Sequence, residues 1–360
     1  MRRRAPALAG QRPSEGTLLE VHDLSTHFRT TRGLVRAVDG VSLTLERGKT
    51  LGIVGESGCG KSVLSRSIMG LLPRHNVVRK GQVLFAGRDI SGLPMSEMRH
   101  IWGTEMAMVF QDPMTSLNPV LRIGTQITES LRYHLQMSKD DAEATAEALL
   151  RSVGIPEPTR RLTEYPHQLS GGMRQRVTIA IALACGPALL FADEPTTALD
   201  VTIQAQILDL LADSQRDRNM SMILVTHDLG VVAGRSDHIA VMYAGKFVES
   251  APTHELFANT KMPYTEALVK SIPKLQNRSH TRLQIIGGRP PDLVNPPKGC
   301  RFAARCPYAQ ERCVAEEPPL EASAENPDHL FACWYPVGSP QQIEISARRS
   351  ATDAVAAGGD

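Results

Sequence analysis

The sequence predicts an α/β fold built on a parallel sheet, with a smaller C-terminal part. Three observations carry this. Between about residues 40 and 250, short apolar runs rich in β-branched residues alternate with helical patterns, as strands and their crossover helices do. The run Thr50-Leu51-Gly52-Ile53-Val54 passes directly into a glycine-rich segment that opens a helix. Of the 24 prolines, 13 lie after residue 250, which marks a change in the character of the chain.

The bulk composition is that of a globular protein. With 360 residues, 42% of them hydrophobic, there is ample material for a core, and wholesale disorder, collagen and coiled coil are excluded. The 40 basic and 38 acidic residues leave a formal charge of +2, so no whole-chain field points to nucleic acid or an acidic membrane surface. The longest uncharged apolar stretch, Val177 to Ala192, is too short to span a bilayer and is interrupted by Gly186-Pro187. Ala5 to Gly16 lacks the apolar middle of a secretion signal, and a cytosolic chain is expected. The expected organisation is a disordered tail over 1–16, a nucleotide-binding domain over 17–250, an extension over 251–338 and a second disordered tail over 339–360.

The first chemical element is Gly55-Glu56-Ser57-Gly58-Cys59-Gly60-Lys61-Ser62, a Walker A loop. Its glycines let backbone N–H groups approach phosphate oxygens, and the following helix, expected over Val63 to Leu72, turns its positive end toward them. Lys61 can reach the β- and γ-phosphates and Ser62 can hold Mg2+. Cys59 occupies a variable loop position and reads as a small residue that fits.

A second anion cradle is Leu169-Ser170-Gly171-Gly172-Met173-Arg174-Gln175-Arg176, ahead of the helical run Val177 to Cys185. Ser170 is a plausible N-cap, and Gly171 and Gly172 expose N–H groups at a helix start. One nucleotide site does not need two cradles. A head-to-tail pair of subunits does, each cradle closing on the phosphate held by the other.

The apolar run Ala188 to Ala192 ends in Asp193-Glu194, two acids at the carboxyl end of a buried strand. Asp193 suits Mg2+ and Glu194 suits the orientation or deprotonation of an attacking water. His227 follows the apolar run Met222 to Thr226 in the same way.

These motifs resemble the ATP-binding cassette (ABC) family, over residues 17 to 250. The resemblance implies an ABC-type P-loop NTPase domain with a helical subdomain at about 112–168 and an antiparallel β subdomain. It implies ATP contacts from Gly55, Glu56, Ser57, Gly58, Cys59, Gly60, Lys61, Ser62 and Val63, with Phe28 stacking on adenine. Ser62, Asp193 and Gln111 hold Mg2+ in that reading, and Glu194, His227 and Gln111 are catalytic. Gln111, in Met108-Val109-Phe110-Gln111-Asp112-Pro113, is also a hinge. Ser170, Gly171, Gly172 and Gln175 act on the partner's ATP, and Asp200, in Thr197-Ala198-Leu199-Asp200, lies in a loop crossing the dimer interface.

Lys61 to Leu72, the stretch Gln111-Asp112-Pro113-Met114-Thr115-Ser116-Leu117-Asn118-Pro119, Met262 to Leu268 and Gly287-Gly288-Arg289-Pro290-Pro291 narrow the resemblance to the first of the two paired ATPases of oligopeptide and dipeptide importers. The implied partners are a paralogous second ATPase, two transmembrane permease subunits and an extracytoplasmic peptide-binding protein, with no nucleic acid. The implied place is peripheral, on the cytoplasmic face of the inner membrane. Nickel or glutathione is the alternative cargo, and a soluble ABC ATPase the more distant alternative.

Cys300, Cys306, Cys313 and Cys333 fall within 34 residues of the extension. Four thiolates can hold zinc or an iron-sulfur cluster, and the absence of short Cys pairs fits the larger group better. The importer ATPases that the chain resembles imply a four-iron four-sulfur (4Fe-4S) cluster here, with Zn2+ as the alternative and free or disulfide-paired thiols as the remainder. Cys185, on an apolar helix, reads as core.

Overall fold

The computed structural model describes residues 16–73, 75–197, 199–272 and 286–357. The expected tail over 1–16 lies outside them except for Gly16, as does Ala198.

The chain opens with β1 (Thr17–Thr30) and β2 (Gly33–Glu46), an antiparallel hairpin whose apolar residues alternate inward. β3 (Thr50–Val54) is buried at every position, as a strand covered on both faces must be. After the glycine-rich loop comes α1 (Lys61–Ile68). It is shorter than the expected Val63 to Leu72, because Gly70 turns left-handed at φ 67° before Pro73 can act as the stop. β4 (Val77–Phe85), β5 (Arg88–Asp89), α2 (Met95–Ile101) and β6 (Met106–Val109) follow.

Helices then replace strands. α3 (Pro113–Ser116), α4 (Ile123–Leu135), α5 (Lys139–Ser152) and α6 (Pro158–Arg161) lead into α7 (Gly171–Leu183). Ile123, Ile127 and Leu131 lie on one face of α4, fully buried with Ala142, Ala146 and Leu150 of α5 in the same core as Val177 and Ile179. Burying each large aliphatic side chain contributes about 1.5–3 kcal/mol, which suffices to hold these short helices on the sheet domain. Ser138 caps α5 by accepting from Asp141 N at 3.2 Å.

The remaining elements are β7 (Leu189–Asp193), α8 (Val201–Arg218), β8 (Ser221–Thr226), α9 (Leu229–Ala233), β9 (His238–Tyr243), β10 (Lys246–Pro252), α10 (Thr253–Ala258), α11 (Pro263–Ser271), α12 (Glu311–Ala315), β11 (Glu321–Ala322), β12 (Leu330–Phe331) and α13 (Pro340–Ala357). Two sheets result. One is antiparallel, in the order β2-β1-β4-β5. The other runs β11-β12-β10-β9-β3-β8-β7-β6, and β9, β3, β8, β7 and β6 pair in parallel.

Two boundaries differ from expectation. The cut expected at residue 250 falls inside β10, and β12 of the extension pairs with β10, so the extension continues the sheet. Composition shows where proline becomes frequent, whereas strand pairing ignores it. The stretch over 339–360, expected to be a disordered tail, contains α13 as far as Ala357, and 358–360 lie outside the described residues. Pro340 opens it and Ser339 accepts from Gln342 N at 3.2 Å, a helix start that needs no apolar stripe.

A buried ionic contact pins the extension. His329, 0% exposed, places Nε2 2.8 Å from Glu249 Oε1 and Nδ1 3.4 Å from Glu255 Oε1. Burial alone would lower the His329 pKa, but the two carboxylates more than offset it and the net shift is upward. A raised folded pKa means that the imidazolium stabilises fully below about pH 6.5, the unfolded value, and that this contribution fades as pH rises through the folded value. Melting temperatures of the wild type and of His329→Gln should therefore converge as pH is raised from about 6 to 9. A gap that is constant with pH would remove the ionic account.

Candidate functional site

The site is assembled where parallel strands end. Gly55 and Gly60 have backbone neighbours that leave no room for a side chain: a Cβ on Gly55 would stand 2.1 Å from Met242 O, and one on Gly60, at φ 110°, 2.1 Å from Ala37 O. The loop is thus wedged between β9 and β2. Gly245, in the turn after β9, donates from N to Cys59 O at 2.8 Å, and Asp39 N donates to Gly245 O at 2.9 Å. Cys59 itself is buried and its thiol is pushed up by that burial, which agrees with a packing role.

Lys61, 4% exposed, donates from Nζ to Gly55 O at 2.8 Å and Glu56 O at 3.2 Å and lies 3.8 Å from Glu194 Oε1. Ser62 Oγ donates to Asp193 Oδ1 at 2.9 Å, while Asp193 Oδ2 is buried without a hydrogen-bond partner. Burial raises the Asp193 pKa, so a cation there would relieve an unfavourable carboxylate. An orphaned carboxylate oxygen beside a hydroxyl fits Mg2+.

Glu194 is the hub. It is 8% exposed, at φ 45°, a strained value for a residue with a Cβ, and its N donates to Val225 O at 2.9 Å. Its Oε2 accepts from Gln111 Nε2 at 3.1 Å and Thr197 Oγ1 at 2.9 Å, with His227 Nδ1 3.4 Å away. The structure therefore brings Lys61, Ser62, Gln111, Asp193, Glu194 and His227 together from four separate segments. Thr197 is the member that motif reading passed over as a catalytic neighbour, although it stands three residues after Glu194.

The second cradle forms the N-terminus of α7. Ser170 is exposed and its Oγ accepts from Met173 N at 3.4 Å, with Gly171 and Gly172 beside it. Gly172 packs against Ile203, and a Cβ there would meet Ile203 Cγ2 at 3.0 Å. Gln175 departs from expectation. It is 0% exposed in this chain and neither side-chain polar atom has a hydrogen-bond partner, so it faces the interior of its own subunit. Helical spacing explains the difference, since Gln175 shares a face with buried Thr178, Ile179 and Ala182. Asp200 is exposed and caps α8, accepting from Ile203 N at 2.9 Å. Phe28 is half-buried in β1, opposite Val35 of β2 and Val77 of β4.

The cysteine expectation is corrected. Cys300, Cys306, Cys313 and Cys333 line one apolar cleft with Met262 and Phe302. Among the described residues, however, no group of three or more His, Cys, Asp or Glu side chains could hold a metal ion, and the four thiols are free. Burial pushes Cys306 and Cys333 up to about 12, and Cys300 up as well, as it does for thiols in apolar surroundings. The 4Fe-4S cluster and the zinc alternative are not supported. Free thiols of this kind behave as small hydrophobes: Cys300, Cys306 and Cys333 pack on the main core, and Cys313 is buried. Cys185, also raised to about 11 by burial, packs in the same way.

Comparison with known proteins agrees with this geometry. The model of the family described as "ABC transporter" matches residues 38–197, and that described as "Oligopeptide/dipeptide transporter, C-terminal region" matches residues 248–313. The oligopeptide transport ATP-binding protein OppD of Bacillus subtilis (strain 168) is 52% identical over 341 residues, covering 93% of this chain and 95% of the relative. This chain belongs to the ABC ATPases of the oligopeptide/dipeptide transporter family. The dipeptide transport ATP-binding protein DppD of Escherichia coli (strain K12) is 48% identical, with 89% of this chain and 97% of the relative covered. Among solved structures, the ATP-binding cassette MJ0796, a dimer in a post-hydrolysis state with ADP and Pi, aligns with TM-score 0.60 at 26% identity. That alignment covers 66% of this ABC ATPase and 99% of MJ0796.

No helix among the described residues is long and apolar enough to cross a membrane.

Proposed function

We propose that the chain hydrolyses ATP to energise the import of di- and oligopeptides, docked on the cytoplasmic face of the membrane against two permease subunits. It would work as one of two paralogous ATPases, with an extracytoplasmic peptide-binding protein delivering the cargo. The observation that carries the ATPase reading is the Glu194 carboxylate, held by Gln111 and Thr197 and lying beside both Lys61 and His227. The extension that matches the oligopeptide/dipeptide transporter region supports the cargo.

In this reading the loop from Gly55 to Val63 cradles the β- and γ-phosphates, with the Lys61 ammonium against them. Ser62 and Asp193 would hold Mg2+, with Gln111 close by, and the ion would neutralise developing charge on the phosphate oxygens. Glu194 takes a proton from the attacking water as its oxygen bonds to the γ-phosphorus and the bond to the ADP oxygen breaks. Gln111 and His227 orient the water and the γ-phosphate. Ser170, Gly171 and Gly172 close over the nucleotide of the partner ATPase, and Asp200 sits in the loop between the two subunits. Phe28 stacks on adenine. The apolar side chains of Phe110, Met114 and Val120, 42%, 62% and 76% exposed, flank Gln111 and suit docking on a permease.

The test is uptake by vesicles holding the permease pair and both ATPases, with the binding protein outside and ATP within. Radiolabelled dipeptide should accumulate with ATP. Accumulation of nickel or glutathione without dipeptide would overturn the cargo assignment.

A further inference from the structure

Glu56 places a carboxylate in the phosphate cradle. A carboxylate at the second position of the loop sets a negative charge next to a polyphosphate, where like charges repel. The structure answers it from the far end of the chain. Arg305, 249 positions away, donates from Nη1 to Glu56 Oε2 at 2.6 Å and from Nη2 to Glu56 Oε1 at 2.8 Å, a bidentate fork. The Arg305 side chain is 3% exposed and that of Glu56 is 26% exposed.

The guanidinium is also held rigidly. Its Nε donates to Gly287 O at 2.8 Å, its Nη1 to Tyr243 Oη at 3.2 Å and its Nη2 to Ile286 O at 3.1 Å, so all five N–H donors are engaged. The hydrogen bond to Glu56 leads the interactions that raise the Arg305 pKa further, so the charge is permanent. A second link comes from α11, where Tyr264 Oη accepts from Glu56 N at 2.9 Å. Both the carboxylate and the backbone of Glu56 are therefore fixed by residues beyond β10.

We propose that Arg305 is a positioning residue for nucleotide binding, neutralising Glu56 and holding the Walker A loop in its phosphate-receiving shape. The extension is thereby a component of the ATP site, and its seating sets the affinity for nucleotide. Linkage makes this reciprocal: whatever loosens the extension weakens ATP binding, and bound ATP tightens the extension. This rests on the reading that ATP occupies the loop from Gly55 to Val63.

The experiment measures Mg-ATP binding to the full-length chain by equilibrium dialysis, as a double-mutant cycle. Arg305→Ala should raise Kd tenfold or more, and Arg305→Lys, which keeps the charge without the fork, should fall between it and wild type. In a Glu56→Gln background the same Arg305→Ala change should alter Kd less than threefold, because the unpaired carboxylate is gone. Equal losses in both backgrounds would show that Arg305 merely supports the extension's fold and would overturn the proposal, as would a Kd within twofold of wild type for Arg305→Ala. If Arg305→Ala does not fold, Arg305→Lys and Arg305→Gln complete the cycle. Lys61→Ala separates the two levels: binding that survives it removes ATP from this loop altogether, whereas binding lost there but untouched by Arg305→Ala rejects the positioning role alone.

Discussion

Glu194→Gln is expected to lower ATP turnover of the assembled transporter by about 10²–10⁴-fold, the usual contribution of a general base. Glutamine has the same shape and can keep an acceptor oxygen toward Thr197 Oγ1 and Gln111 Nε2, so the pocket should not collapse. What disappears is the site that receives the proton of the attacking water. The ATP-holding groups are elsewhere: Lys61 rests mainly on the carbonyl oxygens of its own loop and Ser62 on Asp193. Binding should persist and the ATPase pair should accumulate in its closed, ATP-loaded form. Phosphate release at saturating ATP, with size-exclusion chromatography of the ATPase pair, checks both halves. Turnover within tenfold of wild type would move the base to another residue.

The largest expected effect on stability is from Phe302→Ala. Phe302 is 1% exposed and sits 5.3 Å, centroid to centroid, from both Tyr243 and Tyr264, which are themselves 4.6 Å apart. Removing a buried phenyl ring from such a trio costs about 3–5 kcal/mol, a large share of the roughly 5–15 kcal/mol that holds a typical domain together. At about 2–4 °C per kcal/mol the melting temperature should drop by roughly 6–20 °C, toward the low end in a chain of this length. Calorimetry on the purified chain measures it. A drop under about 3 °C would mean that the ring is not packed as described.

The nucleotide motifs were legible because phosphate chemistry is local. Gly55 to Ser62 and Ser170 to Gly172 each need glycine, a donor and a helix start within a few residues, and each appears in the fold as a helix N-terminus. Asp193, Glu194 and His227 were legible for a similar reason, since a buried strand that ends in a polar residue points to the ligand edge of a parallel sheet. Contacts that join distant segments left no such trace. Nothing near Arg305 announces Glu56, and nothing near His329 announces Glu249. The inward direction of Gln175 was not legible, because a motif read as a string ignores which way each side chain leaves the helix. The four cysteines do line one cleft, but their spacing did not show that the side chains would not converge as a set of metal ligands.

The join between β10 and β12 has a practical consequence for anyone cutting this chain down. A shortened version ending near residue 252 would strip β10 of its pairing with Leu330 and Phe331 and of the hydrogen bond from Ala332 N to Val248 O, beside Phe247 and Val248, both buried in the whole protein. Such a bare apolar margin is a template for self-association. Expression designs should retain residues through at least Phe331, and a fused tag is better attached beyond α13 than spliced in at residue 250.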